Sequence, residues 1–328
     1  MGDGQGGWCT TSTVIERGRF APTPSGALHV GSARTALAAA LAAWRTSGRF
    51  VLRVEDLDAA RTARGAVEAM FEDLAWLGLD WDEGPGCGGP QMPYFQSERA
   101  GLYRAAFERL REAGRVYPCA CSRKEVETAS QAPHGAEALY PGTCRELAPE
   151  AVIARANERG RAVAWRFRTA NTGPVTVRDL IAGDYAQDVA REVGDFVVVR
   201  ADGVAAYQLA VVVDDIAMEV TEVVRGDDLL ASTPRQVLLY EALGATPPRW
   251  AHLPLVFGDD GTRLAKRHGA MGLRELRAAG TRPESLRAWI LDSLGVSAPH
   301  DRPLRELAGR FDLARVPRDP VRWALARA

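Results

Sequence analysis

The sequence predicts an α/β protein built on a parallel sheet, and two observations carry this prediction. Segments of alternating apolar residues and segments with helical periodicity follow one another in the order strand–helix–strand–helix over residues 14–77, an order typical of parallel strands joined by helices. The pattern returns at 195–243, after an irregular segment that carries cysteines. Because ligands bind at the carboxyl ends of the strands in such sheets, we expect a site at that edge.

The first half of the sheet is predicted to hold two strands and two helices. Residues 14–20 fit a strand, and a loop rich in proline and glycine follows it. Ser32 is a suitable N-cap for an alanine-rich helix over 33–46. Residues 49–55 alternate between apolar and polar positions, which predicts a second strand. Residues 62–77 place their apolar side chains on one helical face.

The later elements are less regular. An insert with broken periodicity runs from residue 117 to about 170 and contains a helix near 149–160. The other predicted elements are a helix at 97–114, a strand and helix within 195–216, a strand and loop at 221–231, a helix at 233–243 and helices over 271–328.

Composition bounds the class of protein. The chain has 328 residues, of which 46% are hydrophobic and 25% are charged. Its net charge of −1 gives no overall positive charge that would indicate a nucleic-acid partner, although a local basic patch can be enough to bind one. Its five cysteines are few and odd in number, which favours a reducing compartment. We find no signal peptide and no apolar run long enough for a membrane span. We therefore expect a cytoplasmic protein with no membrane partner and a disordered extension over 1–13.

Two short elements suggest a nucleotide site. His29 and Gly31 precede a predicted helix, whose N-terminus offers unpaired N–H groups to a phosphate. Lys266 is one of only two lysines, and it lies in a polar loop that could close over a triphosphate and stabilise the leaving pyrophosphate. Each element alone has an ordinary alternative, a structural histidine in the first case and a solvated basic loop in the second.

The histidine element and the lysine loop together are a more specific signal of one enzyme class than either element alone. His29–Ser32 and Arg263–Arg267 resemble the two signature motifs of the class I aminoacyl-tRNA synthetases. The blocks that resemble the glutamyl/glutaminyl branch of that class are Arg19–Gly26, Arg53–Asp58, Val213–Asp215 and Arg225–Leu230, in the same order along the chain. Only about 58 residues follow the lysine loop, and the chain therefore looks like the truncated paralogue family, the glutamyl-Q tRNA(Asp) synthetases.

This resemblance implies an activity and its partners. The expected enzyme is a ligase that activates L-glutamate with ATP to glutamyl-adenylate. It then transfers glutamate to the queuosine base in the anticodon stem-loop of tRNA(Asp). ATP is expected to bind with Mg²⁺, and the enzyme is expected to be a monomer. The implied fold is a Rossmann-type parallel sheet of the class I kind, with a zinc-bearing insert and a short helical C-terminal tail.

The resemblance also divides the chain. The expected parts are a disordered extension (1–13), the first half of the catalytic domain (14–118), a zinc-binding, acceptor-like insert (119–194), the second half of the catalytic domain (195–270) and a helical tail without an anticodon-binding domain (271–328).

Site residues are carried over from the matching motifs. His29, Gly31 and Lys266 are expected to serve ATP in catalysis. The residues expected to bind glutamate and the adenylate are Arg19, Phe20, Ala21, Pro22, Thr23, Glu55, Tyr207 and Arg225. Glu55 would hold the substrate ammonium, and an arginine suits a carboxylate because its planar fork can bind both oxygens. Each of two assignments has a purely structural alternative. Arg225 could form a salt bridge to Asp227 or Asp228, and Tyr207 could be an aromatic residue of the core.

Three cysteines lie in the insert and suggest a metal site. Cys119, Cys121 and Cys144 offer three thiolates, which suits a structural Zn²⁺ with four ligands. Ordinary zinc chemistry favours His134 as the fourth ligand, whereas the resemblance implies Tyr140. The alternative is three reduced cysteines without a metal.

Three rival functions stay open at this point. The first is a shortened glutamyl-tRNA synthetase that differs only in its acceptor. The second is another nucleotidyltransferase with a similar histidine motif, against which Arg19–Gly26 and Arg225–Leu230 argue. The third is an inactive paralogue that binds RNA or protein. The retained His29, Glu55, Arg225 and Lys266 argue against it.

Overall fold

The computed structural model describes residues 15–58, 62–130, 139–170, 172–258, 261, 272–297 and 302–323. Three of the features predicted from sequence lie outside these ranges: the N-terminal extension, His134 and the loop that carries Lys266.

The main sheet confirms the predicted α/β class. Among the described residues it has six strands, in the order β2-β1-β8-β9-β5-β6. The first five are parallel to their neighbours, and β6 runs antiparallel to β5. The strands are β1 (Arg17–Phe20), β2 (Arg49–Leu52), β5 (Val175–Asp179), β6 (Gly183–Gln187), β8 (Glu222–Gly226) and β9 (Arg249–Leu253).

Both faces of this sheet are covered. Successive residues of a strand point to opposite faces, and in β8 Val224 joins one apolar cluster while Val223 joins another. The first cluster contains the buried side of α1, and the second contains residues of α3, α7 and α8. Burial on both faces is the usual condition of a parallel sheet joined by helices.

Helices connect the strands. They are α1 (Val30–Trp44), α2 (Ala66–Trp76), α3 (Ala100–Glu112), α4 (Arg123–Ser130), α5 (Pro149–Glu158), α6 (Val189–Glu192), α7 (Tyr207–Ala217), α8 (Thr233–Ala242), α9 (Leu273–Ala278), α10 (Pro283–Ser293) and α11 (Leu304–Leu307). Five of the predicted helices agree with α1, α2, α3, α5 and α8 within a few residues. The proposed N-cap of α1 is wrong, because the helix begins at Val30 and His29 occupies the cap position in place of Ser32.

A small antiparallel sheet stands beside the main one. It has the order β3-β4-β7, formed by β3 (Val116–Cys119), β4 (Ala164–Phe167) and β7 (Val197–Val199). Strand pairing therefore crosses both limits of the predicted insert at 119–194: β5 and β6 lie inside those limits but extend the main sheet, whereas β7 lies outside them but belongs to the small sheet. These pairs form between segments far apart in sequence, which local periodicity does not reveal.

The C-terminal segment packs against the first core cluster. Leu286 of α10 and Leu304 of α11 are buried together with the residues of α1. Arg34 of α1 donates through Nε to Ser293 Oγ at 2.9 Å. A two-stranded parallel pair joins β10 (Val256–Phe257) to β11 (Val321–Arg322), a strand in a region predicted to be helical. Within the described ranges no helix is long and apolar enough to cross a membrane.

Candidate active site

A cavity of about 410 Å³ opens at the carboxyl ends of β1, β2, β8 and β9, the edge where a parallel sheet usually binds its ligand. Ten residues singled out from the sequence line it: Arg19, Phe20, Ala21, Pro22, Thr23, His29, Gly31, Glu55, Tyr207 and Arg225. They come from five separate parts of the chain, and the fold brings them to one place. Lys266 lies outside the described residues.

The start of α1 forms one wall of this cavity. His29 Nδ1 accepts a hydrogen bond from the backbone N–H of Ser32 at 3.2 Å, and Nε2 lies 3.0 Å from Ser32 Oγ. A Cβ atom at Gly31 would lie 3.1 Å from two atoms of the imidazole ring, so the glycine gives this ring its space. The wall presents a helix N-terminus, which attracts anionic groups such as phosphate.

Charged side chains are buried beneath the cavity. Arg53 Nη1 donates to Asp215 Oδ1 at 2.6 Å, and Arg53 Nη2 donates to Glu55 Oε1 at 3.0 Å. Arg19 Nε contacts the same Asp215 oxygen at 3.4 Å. All four side chains are buried. Because buried charges persist only when they are paired, this network fixes the positions of Arg19 and Glu55 in the cavity wall.

A second carboxylate anchors this network to α3. Asp214 accepts hydrogen bonds from Arg99 Nε at 2.6 Å, from Gln96 Nε2 at 2.8 Å and from Tyr103 Oη at 2.9 Å. Arg53 Nε lies 3.7 Å from Asp214 Oδ2. The adjacent carboxylates Asp214 and Asp215 therefore tie α7 to β1, to β2 and to the segment that leads into α3.

Burial and pairing have opposite effects on two carboxyl groups of the network. Burial raises the pKa of Glu55 above its ordinary value, and Arg53 opposes that rise without cancelling it. Burial would also raise the pKa of Asp215, but the nearby guanidinium groups of Arg19 and Arg53 outweigh it and lower that pKa. Asp215 is consequently a permanent anion at neutral pH, and Glu55 is the carboxyl group whose charge responds first to acidification.

Arg225, one of three arginines that line the cavity together with Arg19 and Arg34, is only 4% exposed. Its Nε donates to His252 Nε2 at 3.0 Å, and its Nη2 donates to Thr233 Oγ1 at 2.9 Å and to the carbonyl oxygen of Leu229 at 3.3 Å. Its Nη1 has no hydrogen-bond partner among the described residues. A buried cationic donor of this kind is suited to bind an anionic ligand in the cavity.

Tyr207 begins α7 at the cavity wall and is 38% exposed. It is therefore not a core aromatic residue, which was the alternative interpretation of this position. With Arg19 and Arg225 as cationic groups and Glu55 as an anionic group, the cavity offers partners for both the carboxylates and the ammonium of an amino acid.

The three insert cysteines form a separate cluster in the small sheet region. The sulfur atoms of Cys119, Cys121 and Cys144 lie within 4.8 Å of one another. Tyr140 Oη lies 3.4 Å from Cys119 Sγ and accepts a hydrogen bond from the backbone N–H of Cys144 at 2.9 Å. Tyr140 is thus adjacent to the thiols, as the resemblance implied, while His134 lies outside the described residues.

This donor set fits a metal ion. Burial and the neighbouring thiols raise the pKa of Cys121 to about 12, and burial raises the pKa of Tyr140. The hydrogen bond to Tyr140 and the nearby Arg166 outweigh burial and lower the pKa of Cys119. A divalent cation that binds thiolates would have to displace the protons of the remaining thiols. Three sulfurs and a phenol oxygen could supply four ligands to Zn²⁺.

Sequence reasoning assigned no role to several residues that build the cavity. His252 was not singled out from the sequence, yet its ring is buried beside Arg225 and 2.6 Å from Asp179. Asp214 and Asp215 were noted only as part of a motif. An ionisable residue within an otherwise apolar segment was the available signal, because such a residue is buried at a cost and needs a partner.

Comparison with known proteins agrees with the family resemblance of the sequence motifs. Residues 16–314 match the family "tRNA synthetases class I (E and Q), catalytic domain". A protein named Glutamyl-Q tRNA(Asp) synthetase from Symbiobacterium thermophilum is 55% identical, over 93% of this chain and 95% of its own length. One of the same name from Nocardia farcinica is 48% identical, over 95% and 94%.

Longer relatives match the same region. Glutamate–tRNA ligase 1 from Halorhodospira halophila is 44% identical over 93% of this chain, which covers 64% of the ligase. The crystal structure of a glutamate tRNA ligase from Elizabethkingia meningosepticum, in complex with its amino acid, superimposes with a TM-score of 0.82 at 30% identity, over 94% of this chain and 67% of that one.

Proposed function

Because this chain belongs to the class I tRNA synthetases of the glutamate and glutamine (E and Q) type, we propose that it activates L-glutamate with ATP and transfers it to queuosine in the anticodon of tRNA(Asp). Its 55% identity to a protein named for that reaction supports the proposal. The ligase activity and the use of glutamate are common to both groups of relatives, and the acceptor is the point on which they differ.

One observation carries the amino-acid part of the proposal. Arg225, whose buried Nη1 has no hydrogen-bond partner among the described residues, lines the same cavity as Glu55. Glutamate has two carboxylates and one ammonium, so it requires a cationic partner and an anionic partner in one site. Arg225 and Arg19 would bind carboxylate, Tyr207 would lie beside the bound substrate, and Glu55 would bind the ammonium.

The first chemical step is an in-line attack of the α-carboxylate of glutamate on the α-phosphate of ATP. A bond forms between carboxylate oxygen and phosphorus, the bond to the β-phosphate oxygen breaks, and pyrophosphate leaves. The carboxylate is already a nucleophile, so the protein contributes mainly position and charge stabilisation. His29 and the N-terminus of α1 would contact phosphate, and Gly31 would keep the imidazole in place.

Two further groups are expected at this step. Lys266 would stabilise the negative charge on the departing pyrophosphate. Mg²⁺ would enter with ATP and neutralise phosphate charge. In the second step a hydroxyl of the queuosine cyclopentene ring attacks the activated carbonyl, and AMP leaves as the ester forms.

The cysteine cluster has a structural part in this proposal. Cys119, Cys121, Tyr140 and Cys144 would hold Zn²⁺, which would stabilise the small sheet and the loops around it. The small sheet and the loops around it would form the part that approaches RNA, the main sheet would carry the catalytic site, and 271–328 would form the tail. An anticodon loop offers unstacked bases, so shape and stacking would matter more for its recognition than the net charge of −1. We place the enzyme in the cytoplasm, where these substrates occur, as a monomer.

The acceptor is tested with two pairs of RNAs. Labelled glutamate should be incorporated into tRNA(Asp) that carries queuosine and not into the same tRNA with guanosine at that position. Removing the 3′-terminal adenosine of the queuosine-bearing tRNA should leave incorporation unchanged. Incorporation into glutamate tRNA that is lost with the terminal adenosine would instead identify a shortened glutamyl-tRNA synthetase, the second candidate, which the 44% identity to the ligase supports less well.

A further inference from the structure

A line of buried hydrogen bonds crosses three neighbouring strands of the main sheet and ends at the cavity. Asp179, at the end of β5, contacts His252 of β9, with 2.6 Å between Oδ2 and Nδ1. His252 Nε2 in turn accepts from Arg225 Nε of β8 at 3.0 Å. The three residues lie on three neighbouring strands and are nearly inaccessible to solvent, and Arg225 is the member that lines the cavity.

The chemistry of this line fixes the tautomer of the histidine. An arginine side chain has donors and no acceptor, so His252 Nε2 must carry a lone pair where it meets Arg225 Nε. The proton of the neutral ring then lies on Nδ1 and is donated to Asp179. Burial lowers the pKa of His252, although Asp179 opposes this, which agrees with a neutral ring at pH 7.

Asp179 is itself held in one orientation. Its Oδ1 accepts hydrogen bonds from three backbone N–H groups, those of Ile181 at 3.0 Å, Ala182 at 2.8 Å and His252 at 3.1 Å. That oxygen is therefore occupied, and Oδ2 is the one directed at His252. The backbone thus sets Asp179, Asp179 sets the tautomer of His252, and His252 presents an acceptor to Arg225.

The rest of the guanidinium is fixed from other directions. Arg225 Nη2 donates to Thr233 Oγ1 and to the Leu229 carbonyl oxygen, and its Cζ lies 4.8 Å from the centre of the Trp250 ring. With Nε and Nη2 both engaged, the planar group cannot rotate without breaking hydrogen bonds. Nη1 is the nitrogen that remains without a partner among the described residues.

From this arrangement the geometry points to His252 and Asp179 as positioning residues for amino-acid recognition: they hold Arg225 so that Nη1 is presented to a substrate carboxylate. This inference rests on the proposed function of Arg225 as a carboxylate ligand. Neither His252 nor Asp179 lines the cavity, so both act through Arg225. A pre-oriented arginine binds a carboxylate with less loss of conformational entropy than a mobile one.

Two substitutions of His252 separate its contacts. In His252→Gln the amide oxygen can reach the Nε2 position and accept from Arg225, but the contact with Asp179 is lost. In His252→Asn the amide can occupy the Nδ1 position and donate to Asp179, but Arg225 loses its acceptor. We expect His252→Asn to raise the KM for glutamate in ATP–pyrophosphate exchange by about 10- to 100-fold, the usual effect of losing a hydrogen bond to a charged group. His252→Gln should raise it by less, and the KM for ATP should change little in either.

Asp179→Asn is the third variant. With its oxygen kept on the three backbone N–H groups, its amide nitrogen would face His252 and donate to Nδ1. The ring proton would then move to Nε2 and oppose the Nε–H of Arg225. This nearly isosteric change should therefore raise the KM for glutamate as His252→Asn does, and ¹⁵N spectra of labelled histidine should show the proton on Nδ1 in the wild type and on Nε2 in the variant.

The outcomes separate this inference from the proposed function. Normal wild-type exchange together with an unchanged KM for glutamate in His252→Asn and Asp179→Asn would overturn the positioning role and leave the function standing. A wild-type His252 protonated on Nε2 would overturn it as well. A purely structural role would raise both KM values together and lower thermal stability. If the wild type shows no exchange, the proposed function fails, and glutamate affinity measured by calorimetry then decides the inference: weaker binding in His252→Asn supports it, and no wild-type binding rejects it.

Discussion

The cavity and the cysteine cluster are built in opposite ways. The cavity depends on contacts between distant parts of the chain, such as the pair of Arg53 with Asp215, which are 162 residues apart. The cysteine cluster uses residues within one segment, where Cys121 and Cys144 are separated by 23 residues. The first requires the whole sheet to be formed, whereas the second requires only the small sheet and its loops.

This difference suggests that a substitution in one region should leave the function of the other region largely intact. A change in the cavity should affect chemistry with glutamate and ATP and leave the metal bound. A change in the cluster should affect metal content, stability and RNA contact and leave the adenylate step largely intact. The predictions below separate the two regions, beginning with the largest effect.

Removing the guanidinium of Arg225 from the cavity should have the largest effect. Arg225→Gln is expected to lower kcat/KM for glutamate in ATP–pyrophosphate exchange by roughly 10²–10³-fold, because a preorganised charged donor is lost from a buried site. Arg225→Lys should recover little, since an ammonium cannot reproduce the guanidinium hydrogen bonds to His252 and Thr233. Zinc content should match the wild type. Retention of wild-type kcat/KM in Arg225→Gln would contradict the role of this residue.

Removing a thiol should affect the other region. Cys144→Ser is expected to lose bound zinc and to lower the melting temperature by at least about 5 °C, because a structural metal contributes its binding energy to folding. Cys87→Ser is the matched control, since Cys87 is exposed and outside the cluster. Metal analysis and calorimetry measure the two quantities. Full zinc content in Cys144→Ser would remove Cys144 from the ligand set.

The buried carboxyl group should give the cavity a pH dependence. The pKa of Glu55 is raised by burial, so on acidification its charge is lost at a higher pH than that of an exposed glutamate. Because only the charged form attracts the substrate ammonium, the KM for glutamate should rise on acidification, at a pH higher than that at which an exposed glutamate loses its charge. Glu55→Gln should have a high KM at every pH and a flatter profile. Identical profiles for the two proteins would show that Glu55 is not the group that titrates.

The smallest effect is expected at the start of α1. In Gly31→Ala the new Cβ would lie 3.1 Å from the His29 ring, so the ring must shift by a few tenths of an ångström. We expect a KM for ATP raised by about two- to fivefold, while stability does not fall, because alanine favours a helix over glycine by about 1 kcal/mol. Gly101→Ala in α3 is the matched control, since its Cβ would meet open space. An unchanged KM for ATP would separate the His29 ring position from ATP binding.

Local patterns predicted the helices well and the strand partners poorly. The helix at 233–243 was predicted within one residue of α8, because helical periodicity and capping act over neighbouring residues. Residues 175–187 were placed in the insert without any predicted strand, but they form β5 and β6, and β5 pairs with β9 across more than seventy residues. Their membership in the main sheet is set by the position of β9, which no local pattern encodes.

In the candidate site, too, residues in local motifs were predicted from the sequence, whereas residues brought together by strand pairing were not. Motifs led to Arg19, Glu55 and Arg225, because each lies in a short block with a family resemblance, and all three line the cavity. His252 and Asp179 carry no motif that was used, and the two are separated by 73 residues. Their role became visible only once the strand order placed β5, β9 and β8 side by side.

The most direct test of the account is ATP–pyrophosphate exchange by the intact protein with glutamate, aspartate and glutamine in the absence of RNA. We expect exchange with glutamate and little with the other two, because glutamine lacks the side-chain carboxylate that Arg225 would bind and aspartate is shorter by one methylene group. No exchange with any amino acid, with or without tRNA, would contradict the assignment of the cavity as a glutamate-activating site.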